Sequence, residues 1–321
     1  VCPSVLLLGE VVMEPSKVVP YFGTVEKPEC HMLYNVTTMA STWHTVATKD
    51  VRLLKRQMNQ LSELPKDYIF LNYLRCHDDI GWGLDYDWLK KFGISEIPHK
   101  KFLNDYFTGK FPDSNARGEL YNNDPRLGDA RLCGTTASLC GIEAALEDKN
   151  TDKLEKSLDC DIMLHAYMLT QSGIPVLYSG DEIGQLNDYS YHDNPEKSVD
   201  SRYLHRGKFN WKLAENCDDS DTVQGRIFQS ILKLEKCRAE NEVFRAEADF
   251  QTVDTGSDSV LGICREYENK KLLAYFNFSD NPQSVFLDGV KSGRDLFTDD
   301  EVCSISIELK PYGFSWLLLD E

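Results

Sequence analysis

Nowhere in the 321 residues is there an apolar run long enough to cross a bilayer as a helix. No C-x-x-C pair occurs among the ten cysteines, and the nearest two, Cys133 and Cys140, are well separated. A chain of this length builds its core without disulfides, so reduced thiols acting as small buried hydrophobes are expected. Positive charge is scarce. Lys and Arg total 35 against 52 Asp and Glu, for a formal net charge of −17. Neutralising phosphates needs clustered Lys and Arg, so nucleic-acid and polyphosphate partners are excluded and a neutral substrate fits better. No membrane partner is expected. No signal peptide opens the chain, and a cytoplasmic location is the expectation. Asn35-Val-Thr and Asn277-Phe-Ser match the glycosylation triplet, a pattern that often arises by chance.

What is present is the composition of a soluble globular protein, 41% hydrophobic and 27% charged. The length suits one large domain and a small one. "SVLLLGE" reads as a strand buried on both faces. Pro15 through Phe22 reads as a short helix, and "CHMLYN" as a second strand. Thr37 to about Leu61 reads as one long helix, with Pro65 beyond its end. "YIFLNYLRC" is a third strand. Residues 83–150 are polar and rich in Asn, Asp, Gly and Tyr, which predicts an inserted subdomain or long loops. A helix at about 152–172 follows, then a fourth strand in "GIPVLYSG". Val223, Ile227, Ile231 and Leu234 mark another amphipathic helix. Beyond about residue 243, short alternating segments such as "VLGICREY", "KLLAYFNF" and "FSWLLLD" predict an antiparallel β-sandwich.

Alternating strand and helix predicts a parallel sheet with right-handed crossovers. Charged groups fall where strands end: Glu10, then His77-Asp78-Asp79, then Asp181-Glu182. In a (β/α)8 barrel the active site lies at that end, yet only four strands are legible, half a barrel.

At these residues a resemblance enters. "YLRCHDDIG", "PVLYSGDEIG" and a strand ending in Glu, in this order, resemble the last motifs of the α-amylase clan of glycoside hydrolases and transglycosylases. "HDDIGW" with a long insertion after it, "LGDARLCGTTAS", "DSRYLHR" and "LKPYGFSWLLL" resemble the amylosucrases within that clan. The resemblance implies an α/β fold: the second half of a (β/α)8 barrel, with a long insertion after strand 7 and an all-β sandwich at the end. Residues 1–82 would hold barrel strands 5 to 7 with their helices, and 83–150 the insertion. Residues 151–240 would hold the last helices, strand 8 and its long loop, and 241–321 the sandwich.

Retaining glycoside cleavage needs two carboxyls about 5 Å apart, one an acid/base and one a nucleophile. By the resemblance Glu10 is the acid/base, a role that partial burial at a strand end would suit by raising its pKa. His77 and Asp78 match the pair that binds the hydroxyls of the cleaved sugar and stabilises the transition state. Asp79, Arg131 and Glu29 match positions around the acceptor. Arg202 matches an arginine that closes the pocket by pairing with an acid from the earlier part of the barrel. Asp181 and Glu182 are expected to be architectural, and Trp82, Trp88 and Tyr106 to be core. The clan's nucleophile is an Asp in an R-x-D pattern on the preceding strand, and no R-x-D occurs here. The resemblance therefore implies that the chain needs an N-terminal barrel half, and that alone it is neither a stable monomer nor active. The implied reaction of the intact protein is glucosyl transfer from sucrose, or another α-glucoside, to an α-glucan acceptor. Alternatives are an α-glucosidase, sucrose phosphorylase, trehalose synthase or a non-catalytic carbohydrate-binding relative. No cofactor and no metal are implied.

Overall fold

The computed structural model describes residues 5–11, 15–24 and 26–320. Its strands, in chain order, are β1 (Leu8–Gly9), β2 (Met32–Tyr34), β3 (Ile69–Asn72), β4 (Ile80–Gly81), β5 (Glu119–Asp124), β6 (Asp129–Cys133) and β7 (Ile174–Pro175). The C-terminal strands are β8 (Asp249–Val253), β9 (Val260–Tyr267), β10 (Lys270–Asn277), β11 (Gln283–Phe286), β12 (Gly293–Asp295), β13 (Glu301–Val302), β14 (Ser306–Leu309) and β15 (Phe314–Leu319). Two compact units result. The first comprises Val1–Tyr73, Tyr167–Val176 and Leu234–Glu321; the second comprises Leu74–Ala166 and Leu177–Lys233. This grouping cuts across the four segments read from the sequence. The 83–150 segment packs with Leu177–Lys233, and the C-terminal sheets share a unit with the parallel sheet.

In the first unit β1, β2, β3 and β7 form a four-stranded sheet in sequence order, all parallel. Leu33 and Phe70, from its middle strands, pack with Val18 and Phe22 from the 15–22 turn of helix. The first predicted strand is only partly realised. Ser4 lies outside the described residues, and pairing is confined to Leu8 and Gly9. Val5, Leu6, Leu7 and Leu8 are 51%, 67%, 48% and 40% exposed, so the expectation of burial on both faces is corrected. The physical reason is position: among the described residues β1 is the outer strand of the sheet, paired with β2 alone.

The single long helix predicted from Thr37 is two helices, Val36–Thr48 and Arg52–Ser62. Lys49 adopts φ 59°, the left-handed conformation that ends helices, and its N–H donates to Thr45 O. Asp50 then accepts from Arg52 N–H at 2.9 Å, starting the second helix. The predicted helices near 152–172 and from Val223 appear as Thr151–Thr170 and Val223–Glu240.

The C-terminal residues form a six-stranded antiparallel sheet, order β13-β12-β15-β10-β9-β8, and a β11-β14 pair. Val260, Cys264, Leu273, Tyr275, Val285, Leu309 and Leu317 fill its core. Arg265 is fully buried. It donates to Val243 O, Arg245 O, Thr170 O and Ser172 Oγ at 2.6–3.0 Å. All four partners are neutral, and burial pulls its guanidinium down to about 9. Trp316 Nε1 donates to Thr170 Oγ1 at 2.7 Å, so both residues bind the sheet to the end of the Thr151–Thr170 helix. Asn35 and Asn277, the two glycosylation candidates, are buried. The nine cysteines among the described residues are free thiols.

In the second unit β4, β6 and β5 make a three-stranded antiparallel sheet, beside the helix Glu96–Phe107. Trp82 is buried, stacks on Phe107 and donates to Asn104 Oδ1, a core role as expected. Ala137, Ile142, Leu158, Ile227 and Ile231 form a second core. No helix among the described residues is long and apolar enough to cross a membrane.

Candidate functional site

The segment that leaves β3 carries Arg75, His77, Asp78 and Asp79 in succession, and burial sorts them. Arg75 and the Asp181 carboxylate are 2% and 3% exposed and meet at 2.8 Å. Arg75 Nε also donates to Asp181 Oδ1, and Thr136 Oγ1 donates to Asp181 Oδ2 at 3.0 Å. Arg75 Nη1 reaches His205 O, and its guanidinium lies 4.4 Å from the centre of the Tyr178 ring. A buried charge pair with both carboxylate oxygens hydrogen-bonded is an anchor. It fixes the base of the segment, in line with an architectural Asp181. Glu182 Oε2 accepts from Gly180 N–H at 2.7 Å, within its own turn.

Two residues further on the side chains face outward. Asp78 is 42% exposed, and its Oδ1 accepts from Arg202 Nη1 at 2.9 Å. Arg202 is gripped by Asp200. The Arg202 backbone N–H and Nε donate to Asp200 Oδ1, at 3.0 and 2.8 Å, and Nη2 donates to Oδ2 at 2.9 Å. The guanidinium also lies over the Tyr121 ring, 4.9 Å from its centre. The hydrogen bonds that Arg202 donates to Asp200, then to Asp78, raise its pKa further, so it is a permanent cation. Burial pushes the Asp78 carboxyl up, but the Arg202 hydrogen bond, the Asp79 backbone N–H and the Arg202 charge together hold it below the usual carboxylate range. Asp79 goes the other way. Burial first, and then the Asp78 charge, raise it. The two adjacent carboxyls are thus shifted in opposite directions, Asp78 down and Asp79 up.

Arg131 approaches from the β4·β6 ladder, where it faces Gly81. A Cβ on Gly81 would sit 2.0 Å from Arg131 Nη1, so the side chain lies across the bare backbone of the glycine. From there Nε is 3.9 Å from Asp79 Oδ1, with the arginine 45% exposed. His77 is exposed, and its carbonyl accepts from Arg206 Nε at 2.5 Å. Asp78, Asp79, Arg131 and Arg202 therefore converge, with His77 adjacent.

The other two candidates lie in the first unit. Glu10 is exposed and directly follows β1, at the C-terminal end of the parallel sheet. Glu29 comes before β2, on the approach to the opposite, N-terminal end, and pairs with Lys27 at 3.1 Å. The sheet therefore carries Glu29 away from Glu10. Among the described residues the carboxylates that pair with Arg202 are Asp200 and Asp78. Sequence reasoning missed Asp200, Arg206, Tyr121 and Gly81. Only Asp200 left a local signal, the D-x-R triplet. Asp50-Arg52 and Asp124-Arg126 make the same clasp, with backbone N–H and Nε on one oxygen and Nη2 on the other. A fourth triplet, Asp129-Ala-Arg131, lies in β6, where the extended backbone frees Arg131 to turn to Asp79.

Residues 250–316 match the C-terminal domain of maltogenic amylase. A structure of AmyP in complex with maltose superposes over 98% of this chain and 55% of its own, with TM-score 0.64 at 14% identity, and α-amylase structures from Anoxybacillus and others do likewise. The fold is that of the α-amylases. Sucrose 6F-phosphate phosphorylase from Thermoanaerobacter thermosaccharolyticum shares this α-amylase fold, with TM-score 0.61 and 17% identity over 94% of this chain and 51% of its own. In sequence, glucosylglycerate phosphorylase of Escherichia coli (strain K12) is 24% identical over 321 residues, covering 99% of this chain and 53% of that protein. The chain thus spans about half the length of the relatives it matches.

Proposed function

We propose that the chain is the C-terminal part of an α-amylase-family enzyme that transfers glucosyl units from an α-glucoside with retention. The observation that carries this reading is the Asp78 constellation: a half-exposed carboxylate held ionised by Arg202, beside His77. A fixed anion with an unshielded face suits two neighbouring sugar hydroxyls, and stabilises positive charge that develops on an anomeric carbon. In this scheme Glu10 is the acid/base, and Asp79 and Arg131 face the acceptor. The covalent step draws on an aspartate of the first barrel half, supplied from outside these 321 residues. The four parallel strands in sequence order support a barrel half, and the polar 83–150 segment supports an insertion after its third strand.

For the acceptor, phosphate is the reading that the relatives favour, since the Escherichia coli and Thermoanaerobacter proteins are both phosphorylases. Glucan synthesis from sucrose is the second reading. It rests on the likeness of "LGDARLCGTTAS" and "DSRYLHR" to amylosucrases. The full-length protein incubated with sucrose, maltose or glucosylglycerate separates them. Glucose 1-phosphate formed only when phosphate is present supports phosphorolysis. Fructose with insoluble glucan from sucrose alone supports the second reading. No turnover of any α-glucoside, with saccharide binding retained, would overturn both and leave a non-catalytic relative. Asp78→Asn should lower turnover by about 10²–10³-fold, the size of losing one preorganised electrostatic group.

A further inference from the structure

Away from Asp78, the unit that holds the parallel sheet contains a cavity of about 470 Å³. Small-molecule sites occupy roughly 300–1,000 Å³. Its wall is made by the end of the Arg52–Ser62 helix, the turn into β3, the Gln171–Gly173 turn and the start of β8. Two amide side chains on its wall have hydrogen-bonding capacity left open. Gln171 is 6% exposed and Asn35 5%. Asn35 Nδ2 donates to Asn72 Oδ1 at 2.8 Å, and Asn72 Nδ2 donates onward to Ser172 O at 2.7 Å. Asn35 Oδ1 accepts nothing among the described residues, and the Gln171 carboxamide makes no hydrogen bond there. Neither Asn35 Oδ1 nor the Gln171 carboxamide is sealed from solvent, and both line the cavity, so its occupant, water or ligand, can supply their hydrogen bonds.

Charge decides the class of occupant. Lys66 pairs with Asp249 at 2.6 Å, and Glu266 with Lys271 at 2.6 Å, so the charged groups of the wall are already neutralised. An ionic ligand would have to break one of these pairs, whereas a neutral ligand leaves both intact. A purely apolar ligand would offer nothing to Asn35 Oδ1 or the Gln171 carboxamide. Tyr68 and Phe250 add ring surface to the same wall. A ligand that offers donors, acceptors and an apolar C–H face together is a sugar ring.

We propose that this cavity is a second site, separate from the Asp78 cluster, that binds a neutral saccharide of one or two rings. Maltose is the probe, added to the full-length protein and read by amide hydrogen exchange. Protection is expected in peptides covering 61–70 and 246–251, with saturation below roughly 10 mM, the weak-binding range of a few neutral hydrogen bonds. Gln171→Leu should weaken that protection about tenfold or more, and leave the maltose response of 74–84 unchanged. Should Gln171→Leu fail to fold, Phe250→Ala, at a half-buried position, gives the same comparison. Absence of maltose-dependent protection at 61–70 and 246–251 would overturn the proposal, as would undiminished protection in a folded Gln171→Leu. Protection there by a fatty acid and not by maltose would overturn the saccharide class.

Discussion

Replacing Asp181 with Asn leaves the shape of the side chain and removes its charge. In the wild-type protein that carboxylate takes two N–H groups of Arg75 and the hydroxyl of Thr136, at 2.8–3.0 Å, with Arg75 and Asp181 only 2% and 3% exposed. The variant strands a guanidinium in the interior with His205 O and the Tyr178 face as its remaining neighbours. Breaking a buried pair from one side costs about 3–5 kcal/mol. The amide keeps one acceptor oxygen, so the lower end, about 3 kcal/mol, is expected. Unfolding entropy grows with chain length, by about 2.1 cal/mol/K per residue, so for 321 residues or more each kcal/mol moves the transition by about 1–1.5 °C, and Asp181→Asn should unfold about 3–5 °C earlier in a thermal melt of the full-length protein. Arg75→Met with Asp181→Leu removes both charges together and should recover most of the loss, because packed apolar side chains replace such pairs at little cost. The coupling between the two sites should then exceed about 1 kcal/mol in a double-mutant cycle. An Asp181→Asn melt within 1 °C of wild type, or a double variant that falls by the sum of the singles, would refute the anchoring role.

Gly81→Ala should keep the melting temperature within about 2 °C, because Arg131 is 45% exposed and 3.9 Å from Asp79, and such loose ion pairs are worth about 0–1 kcal/mol. It should nevertheless displace Arg131 and raise the KM for the acceptor by about tenfold with kcat largely retained, measured by initial rates at varied acceptor. Arg202→Leu should move the acid limb of the pH–rate profile upward. Asp78 has a folded pKa below its unfolded one, so the stabilisation it draws from Arg202 is present above the unfolded value and is lost as pH falls through the folded one; without the arginine that loss begins at higher pH. Lys49→Gly should raise stability by about 0.5–1 kcal/mol in urea unfolding, since φ 59° strains a side chain and the Lys49–Asp280 ion pair it gives up is partly exposed.

Periodicity made the Val223–Glu240 helix legible, because Ile227, Ile231 and Leu234 recur at helical spacing and all three are buried. Alternation did the same for β9 and β10. The break at Lys49 was hidden, since "TKDVR" contains neither Gly nor Pro and a left-handed lysine has no compositional mark. β8 and β12 were missed because short strands of mixed polarity take their identity from the neighbours they pair with. At the site, Asp78 and Arg202 were readable as motif residues, but their partnership joins positions 124 apart in the chain and belongs to tertiary packing. Gly81 illustrates the limit: its function is to lack a side chain, and nothing local says which neighbour needs the room.

The Asp200 clasp on Arg202 closes over two residues, through three bonds that need no other part of the chain. An arginine side chain ordinarily surrenders up to about 2 kcal/mol of rotamer entropy when it is fixed. Here that loss is taken locally, while the 3-10 turn Ser201–His205 forms, so Nη1 arrives at Asp78 already aimed. The same applies to a sugar reaching Asp78: it meets a carboxylate whose counter-ion has stopped searching, and none of its binding energy goes into ordering the arginine. Arg202→Lys, which keeps the charge and loses the fork, separates that contribution from simple attraction.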